Sequence, residues 1–314
     1  MDDAFSQKRN LYMAITTFNS LVKWRAHRMK ITRDQARGML VGKAIGDALG
    51  APLEFEPKCR ELNNLVTDMI GGGPHGVEPG EWTDDTAMAL ALADAIDENG
   101  VDYMKAIENF HKWYKKGEFQ SRGSLFDIGI TTQEAITRYS KDKTTAFHGS
   151  TSEQSSGNGG IMRMAPVVIA NHLNIENAMR DSELQSKLTH ASKTSLLYAK
   201  ILAEELWQGE PLDKYKSYKL PADTEREKVM SGGYIKETYE CSWWSIQNSD
   251  NNFEKAVINA INLGHDTDTS GAVTGMIAGR LWGYSSIPER WLKVLHWKDK
   301  IISEADRLYS LNIN

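Results

Sequence analysis

Glycine falls at every fourth position in two separate stretches of this 314-residue chain, and that repeat constrains the fold more than any other feature. The first stretch carries Gly38, Gly42, Gly46 and Gly50; the second carries Gly271, Gly275, Gly279 and Gly283. Residues i and i+4 share one face of a helix. A glycine inside a helix costs about 1 kcal/mol relative to alanine. Four on one face need a compensating gain, and close approach of a second backbone supplies it. The two striped helices are therefore expected to be neighbours at the centre of the fold, with Gly50, ahead of Ala51-Pro52, acting as a loop end. Thr32 and Gln35 form a capping box at the start of the first helix. His265-Asp266-Thr267-Asp268-Thr269 opens the second.

Further helices are expected over residues 86–96, 102–115, 127–139, 161–172, 182–207, 235–246, 253–263 and 288–309. No segment alternates apolar and polar residues for long, and short strands are expected only near 64–69. Residues 71–82 and 141–160 read as loops, and 209–233 as a polar surface insertion. The fold class is all-α, with one compact multi-helix domain over 31–314.

Composition removes several function classes. The chain is 40% hydrophobic and 25% charged, enough for a sizeable core, and its net charge of −5 offers no global basic field for nucleic acid. No apolar run reaches the roughly 18 residues of a membrane span. Cys59 and Cys241 are far apart and form no CxxC pair, which fits a reducing, cytoplasmic setting. Residues 1–30 differ from the rest, with six Lys/Arg against two acids, or +4, leaving −9 for the remainder. Leu11, Ile15, Phe18, Val22 and Met29 fall near one helical face, so this is a basic amphipathic extension. It has no clear cleavage site and does not read as a signal peptide. Two readings stay open for it: a helix docked on the domain, or an arm that reaches a partner.

Thr83-Asp84-Asp85 and Asp266-Thr267-Asp268-Thr269 each place carboxylates and a hydroxyl at a helix start. Such oxygens are the ligands of hard cations, and acids gathered in one site repel unless cations neutralise them. Acids in a first turn are also ordinary helix punctuation, and either cluster alone is compatible with that. No EF-hand spacing is present. Gly157-Asn158-Gly159-Gly160 could cradle a phosphate with backbone N–H groups, and Arg163, one turn later, could pair with it. A flexible loop end and a solvated arginine are the plainer alternatives. His190 and His265 stand out by position only.

Together the segments 46–55, 82–86, 126–129, 157–163 and 264–269 resemble the ADP-ribosylglycohydrolase family, in the family's order, over roughly residues 31–310. Within it the chain is most similar to the branch of the dinitrogenase reductase-activating glycohydrolase, which releases ADP-ribose from arginine. The resemblance implies a central cleft with two Mg²⁺ or Mn²⁺ ions, held by Thr83, Asp84, Asp85, Asp266, Asp268 and Thr269. It places Glu54 near metal and substrate, Asp127 and His190 near ADP-ribose, and Gly157, Asn158, Gly159, Gly160 and Arg163 around its phosphates and ribose. His265 departs from the acid or asparagine usual at its position in this branch.

The implied reaction is hydrolysis of an N-glycosidic bond, passing through an oxocarbenium-like state. Glu54, Asp84 and Asp85 are the candidate proton-transfer carboxylates, with Asp268 also expected to be catalytic. The expected partner is an ADP-ribosylated protein, and the chain is expected to be monomeric. The extension at 1–30 adds a further expectation, an immunity protein that also blocks an ADP-ribosyltransferase toxin. Rival readings are hydrolysis of ADP-ribosyl-serine, O-acetyl-ADP-ribose or another small ADP-ribose derivative, and a non-enzymatic binding inhibitor of a toxin.

Overall fold

Thr32 opens the first helix through the expected capping box: its hydroxyl accepts from the Gln35 N–H and the Gln35 side chain accepts from Thr32 N–H. A computed structural model describes residues 31–57, 59–311 and 313 of the chain; the extension at 1–30 lies outside them. Among the described residues, twelve α-helices follow one another, and the only paired strands are short. In chain order, α1 spans Arg33–Gly50 and α2 spans Asp84–Ala93. Next come α3 (Tyr103–Lys116), α4 (Ile130–Lys141), α5 (Ala165–Ala170), α6 (Ile175–Lys187) and α7 (Lys193–Gln208). The last are α8 (Ile235–Gln247), α9 (Phe253–Ile261), α10 (Thr267–Trp282), α11 (Glu289–Val294) and α12 (Lys298–Tyr309).

The two glycine stripes meet. A Cβ built on Gly42 would stand 2.5 Å from the Gly275 carbonyl oxygen, and Gly46 faces Gly271 in the same way. Gly38 faces Gly279, so the pairs run in opposite directions and α1 and α10 are antiparallel. Backbones this close exchange Cα–H···O contacts, the return for the lost helix propensity. Gly50 corrects the expectation of a loop end: it is the last residue of α1, and its missing side chain leaves room for Thr267 at the start of α10. Because the pair is antiparallel, the C-terminal end of α1, with Glu54 just beyond it, lies beside the N-terminal end of α10, with Asp266 and Asp268.

The other helices surround this pair. α12 packs on α1, where Arg37 holds Asp306 through two bonds of 2.8 and 2.7 Å; α8 and α9 pack on α10, and α6 on α7. Trp82, Trp113, Trp243 and Trp291 are fully buried in the core between them.

Several element boundaries differ from the sequence expectation, each for a visible reason. The helix expected over 182–207 is two, because Ser192 caps α7 through the Ser195 N–H and the chain between turns aside at His190. The helix expected over 288–309 breaks at 295–297, where His296 N–H donates to Gly80 O at 3.0 Å and Trp297 adopts a left-handed φ of 57°. Asp127 has φ 58°, so α4 starts at Ile130. Only Ala165–Ala170 of the expected 161–172 helix is α-helical. Ile96 leaves α2 to pair with Val101 in a two-stranded ribbon, while residues 64–69 form no strand.

Candidate active site

Three helix ends meet at one place. Asp47, on α1 and fully buried, receives the start of α2: Thr83 N–H and Oγ1 donate to its Oδ1 at 2.9 and 3.0 Å. Thr86 N–H and Oγ1 donate to its Oδ2 at 2.9 and 2.6 Å. These four bonds pin the N-terminus of α2, with Asp84 and Asp85 in its first turn, against α1. From α10, Asp268 faces Thr83 Oγ1 at 3.2 Å, and Thr269 Oγ1 donates to Asp85 Oδ2 at 3.2 Å. The plain reading of these acids as helix caps is only partly met. Thr83 caps α2, but Asp266, at the cap position of α10, makes no cap bond and turns its carboxylate to Asn158 Nδ2 at 2.8 Å.

Ligand-capable oxygens of Asp84, Asp85 and Asp268 lie within 4.8 Å of one another, as do those of Glu54, Asp266 and Asp268. Asp84, Asp85 and Asp268 are buried, and burial first, then neighbouring acids, pushes each carboxyl well above its ordinary range. Asp85 Oδ1 and Asp268 Oδ1 are buried without a hydrogen-bond partner. Buried unpaired carboxylate oxygens are costly, and hard cations are the groups that satisfy them. Thr83 Oγ1 has one proton, which the Asp47 contact can take, leaving its lone pairs toward Asp268. The donor set fits one or two small divalent cations.

Above the acids opens a cleft of about 240 Å³. Glu54, Asp84, Asp127, Asp266, Asp268 and Thr269 contribute acids and a hydroxyl to its wall, and Gly157, Asn158, Gly159 and His190 complete it. Asp127 is pushed up to about 8 by burial and then by Glu54. The 156–158 turn is pinned to the start of α8 by Asn158 N–H to Gly233 O and Ile235 N–H to Ser156 O. Gly159 packs on the His190 ring so closely that a Cβ there would stand 2.5 Å from Cε1.

Arg163 requires a correction. It does not reach the cleft: its side chain is fully buried, bonded to Gln185 Oε1 and Gln185 O at 3.0 Å and to Thr189 Oγ1 at 2.7 Å, over the Phe110 ring. Its Nη1 faces Met88 Sδ at 3.8 Å, and the side chain is not part of the cleft wall. Its effect on the site is indirect. Thr189 Oγ1 accepts from Arg163 and so directs its own proton to His190 Nδ1, 2.9 Å away. Burial and then Arg163 push His190 down to about 3, so the ring is neutral, with its remaining proton on Nε2 beside the glycine turn. Gly160 also sits behind the cleft, against Ser186.

The sequence leaves open whether His265, beside Asp266, tunes the metals or only fills a gap. Its side chain is exposed and lines an outer groove with Cys59 and Arg60. Its backbone instead pairs with the segment after Glu54, through Phe55 N–H to His265 O and His265 N–H to Glu56 O, both 2.7 Å. The 209–233 segment is not only a surface insertion: Ser231 O accepts from Asp266 N–H at 3.0 Å, and Gly233 lines the cleft. Sequence reasoning missed Asp47, Lys43 and His75. Asp47 lay inside the quoted 46–55 segment, and an acid on an otherwise apolar helix was its signal. His75 Nε2 meets Glu54 Oε2 at 2.5 Å from a glycine-rich loop that has no periodicity to read.

A family model described as ADP-ribosylglycohydrolase matches residues 28–313. The chain belongs to the ADP-ribosylglycohydrolase family. This family member is 38% identical over 294 residues to "ADP-ribosylarginine hydrolase Tri1" of Serratia proteamaculans (strain 568), covering 88% of this chain and 79% of that one. It is 31% identical over 293 residues to the "ADP-ribosyl-[dinitrogen reductase] glycohydrolase" of Rhodospirillum rubrum, covering 88% and 96%. A solved structure titled "ADP-ribosylglycohydrolase-related protein complex" superposes with a TM-score of 0.73 at 31% identity, over 88% of this chain and 97% of that one. This ADP-ribosylglycohydrolase is a mostly helical hydrolase, as the resemblance implied. No helix of the described residues is long and apolar enough to cross a membrane.

Proposed function

We propose that this hydrolase removes ADP-ribose from arginine side chains of proteins, with two Mg²⁺ or Mn²⁺ ions held by Thr83, Asp84, Asp85, Asp266, Asp268 and Thr269. The observation that carries the metal reading is the pair of buried, unpartnered oxygens, Asp85 Oδ1 and Asp268 Oδ1, amid mutually repelling acids. The arginine reading is supported by relatives named ADP-ribosylarginine hydrolase, from Serratia proteamaculans and Pseudomonas putida.

The bond to be broken joins ribose C1 to a guanidine nitrogen. Bound divalent ions supply polarisation of ribose hydroxyls and a water of lowered pKa. The chain's own part is placement and proton transfer. Glu54, Asp84 and Asp85 are the carboxylates from which the water's base and the leaving nitrogen's acid are drawn. Burial holds the Glu54 carboxyl above its ordinary range while His75 pulls the other way. Asp127, the 157–159 turn and neutral His190 line the space for ADP-ribose; His190 Nε2–H serves as a donor there, not as a cation.

Chelator-stripped protein is expected to lose release of ADP-ribose from an ADP-ribosyl-arginine peptide and to regain it with Mg²⁺ or Mn²⁺. The ADP-ribosyl-serine peptide and O-acetyl-ADP-ribose are expected to react at least about tenfold more slowly, one tenfold step being about 1.4 kcal/mol of barrier. Full activity in chelator refutes the metal reading; preference for serine refutes the arginine reading.

Residues 1–30 carry a second proposal, an arm that blocks an ADP-ribosyltransferase toxin, supported by their excess of positive charge over an acidic remainder. A hydrolysis-dead variant that still protects cells against such a toxin, and stops protecting once residues 1–30 are removed, is the expected result. Equal protection without them overturns it.

A further inference from the structure

Lys43 stands one turn before Asp47 on α1, and its side chain is completely buried. A lysine ordinarily carries its ammonium out to water along its stem. Here the close backbone contact of Gly42 with Gly275 lies beside it. Nζ donates to Thr86 Oγ1 at 3.3 Å, and that hydroxyl donates to Asp47 Oδ2 at 2.6 Å. The other Asp47 oxygen accepts from Thr83, which also reaches Asp268. Lys43 is therefore tied to the acid cluster through two threonines and one carboxylate. Among the described residues no carboxylate pairs with Nζ directly. The charged groups that face it are Asp47 from α1, Asp84 and Asp85 from α2, and Asp268 from α10. Burial draws its pKa down from the ordinary lysine value, and these four acids act against that. Burying an ammonium costs far more than burying an apolar chain of the same length, so the acids around it are what such a lysine answers.

We propose that Lys43 is a built-in counter-charge for the acid cluster: it lets the cluster fold without ions and holds divalent-ion affinity below what the carboxylates alone would give. The inference rests on the metal reading above. Removing the charge leaves the acids uncompensated in the metal-free protein. It also removes a repulsion that every incoming cation meets.

The test uses the full chain, stripped with chelator, and titrates MnCl₂ calorimetrically into wild type, Lys43→Met and Lys43→Gln, with melting temperatures recorded in chelator and in saturating Mn²⁺. Both variants are expected to bind Mn²⁺ about tenfold or more tightly than wild type, as one unit charge at close range in a protein interior implies. They are expected to melt below wild type in chelator, with the gap closing in Mn²⁺. Lys43→Gln keeps a donor for Thr86, so a shared effect is one of charge and not of that hydrogen bond. Wild type that binds Mn²⁺ while both variants bind it equally or more weakly overturns the proposal and leaves the metal reading standing. Wild type that binds none overturns both. Should neither variant fold without metal, recovery of folded protein by Mn²⁺ during refolding supports the proposal, and failure of that recovery overturns it.

Discussion

Asp268→Ala is expected to lower hydrolysis of ADP-ribosyl-arginine by about a thousandfold or more, while the protein stays folded, because the proposed mechanism gives the residue a metal-holding role worth several kcal/mol of barrier. Asp268 joins two of the three groups of ligand-capable side chains among the described residues, and one of its oxygens is buried without a partner. In metal-free protein its charge is a burden. Burial and then Glu54, Asp266, Asp85 and Asp127 raise its pKa well above the ordinary value. The sign of the stability effect follows. An acid whose folded pKa is raised binds more protons in the native state than in the unfolded state, so stability falls as pH climbs through that interval. Asp127, at about 8, extends the interval past neutrality. Wild type in chelator is therefore expected to melt at falling temperature from pH 5 to pH 8. Asp268→Ala should show a shallower fall, and saturating Mg²⁺ should flatten the wild-type curve. Thermal melts across pH, with and without chelator, check this. A variant that keeps its rate within about tenfold, or a chelated wild type whose melting temperature rises with pH, would be incompatible with the reading.

Gly46→Ala is expected to destabilise the protein by about 3 kcal/mol or more, a large share of the usual 5–15 kcal/mol. Helix propensity predicts the opposite sign, since alanine is favoured over glycine by about 1 kcal/mol. Packing decides. The new Cβ would stand 1.9 Å from the Gly271 carbonyl oxygen and 2.3 Å from its carbon, well inside van der Waals contact distance. Those are backbone atoms, which cannot turn aside as a side chain does. Relief requires α1 and α10 to separate, and their separation would pull Asp268 from Thr83. Denaturant unfolding of the variant measures the loss, and activity should fall with it. A raised denaturation midpoint would show that the stripe is not a site of close approach.

Much of the site was legible before the structure because its acids are local. Thr83-Asp84-Asp85 and Asp266-Thr267-Asp268-Thr269 are short runs at helix starts, and their chemistry is written in residue type. The glycine stripes were legible for a similar reason: a repeat of four is a property of one helix, and its cost demands a partner. Arg163 and His265 show the limit. Each lies inside a motif segment but outside a helix, in a turn whose backbone sends the side chain away from the cleft. Arg163 turns into the core to Gln185 and Thr189, and His265 presents only its backbone to the site.

By itself, then, the chain's sequence determined the all-α class, the two striped helices and the two acid runs at helix starts, since each depends on residues near one another in the chain. Which acids meet was decided by tertiary structure. The antiparallel contact of α1 with α10 sets Glu54 beside Asp266 and Asp268, and Asp47 draws the start of α2 to the same end. So were the roles of Asp47, Lys43 and His75, whose partners lie 21 to 43 residues away along the chain. Bonds of that range depend on how whole helices pack, and no local pattern records them.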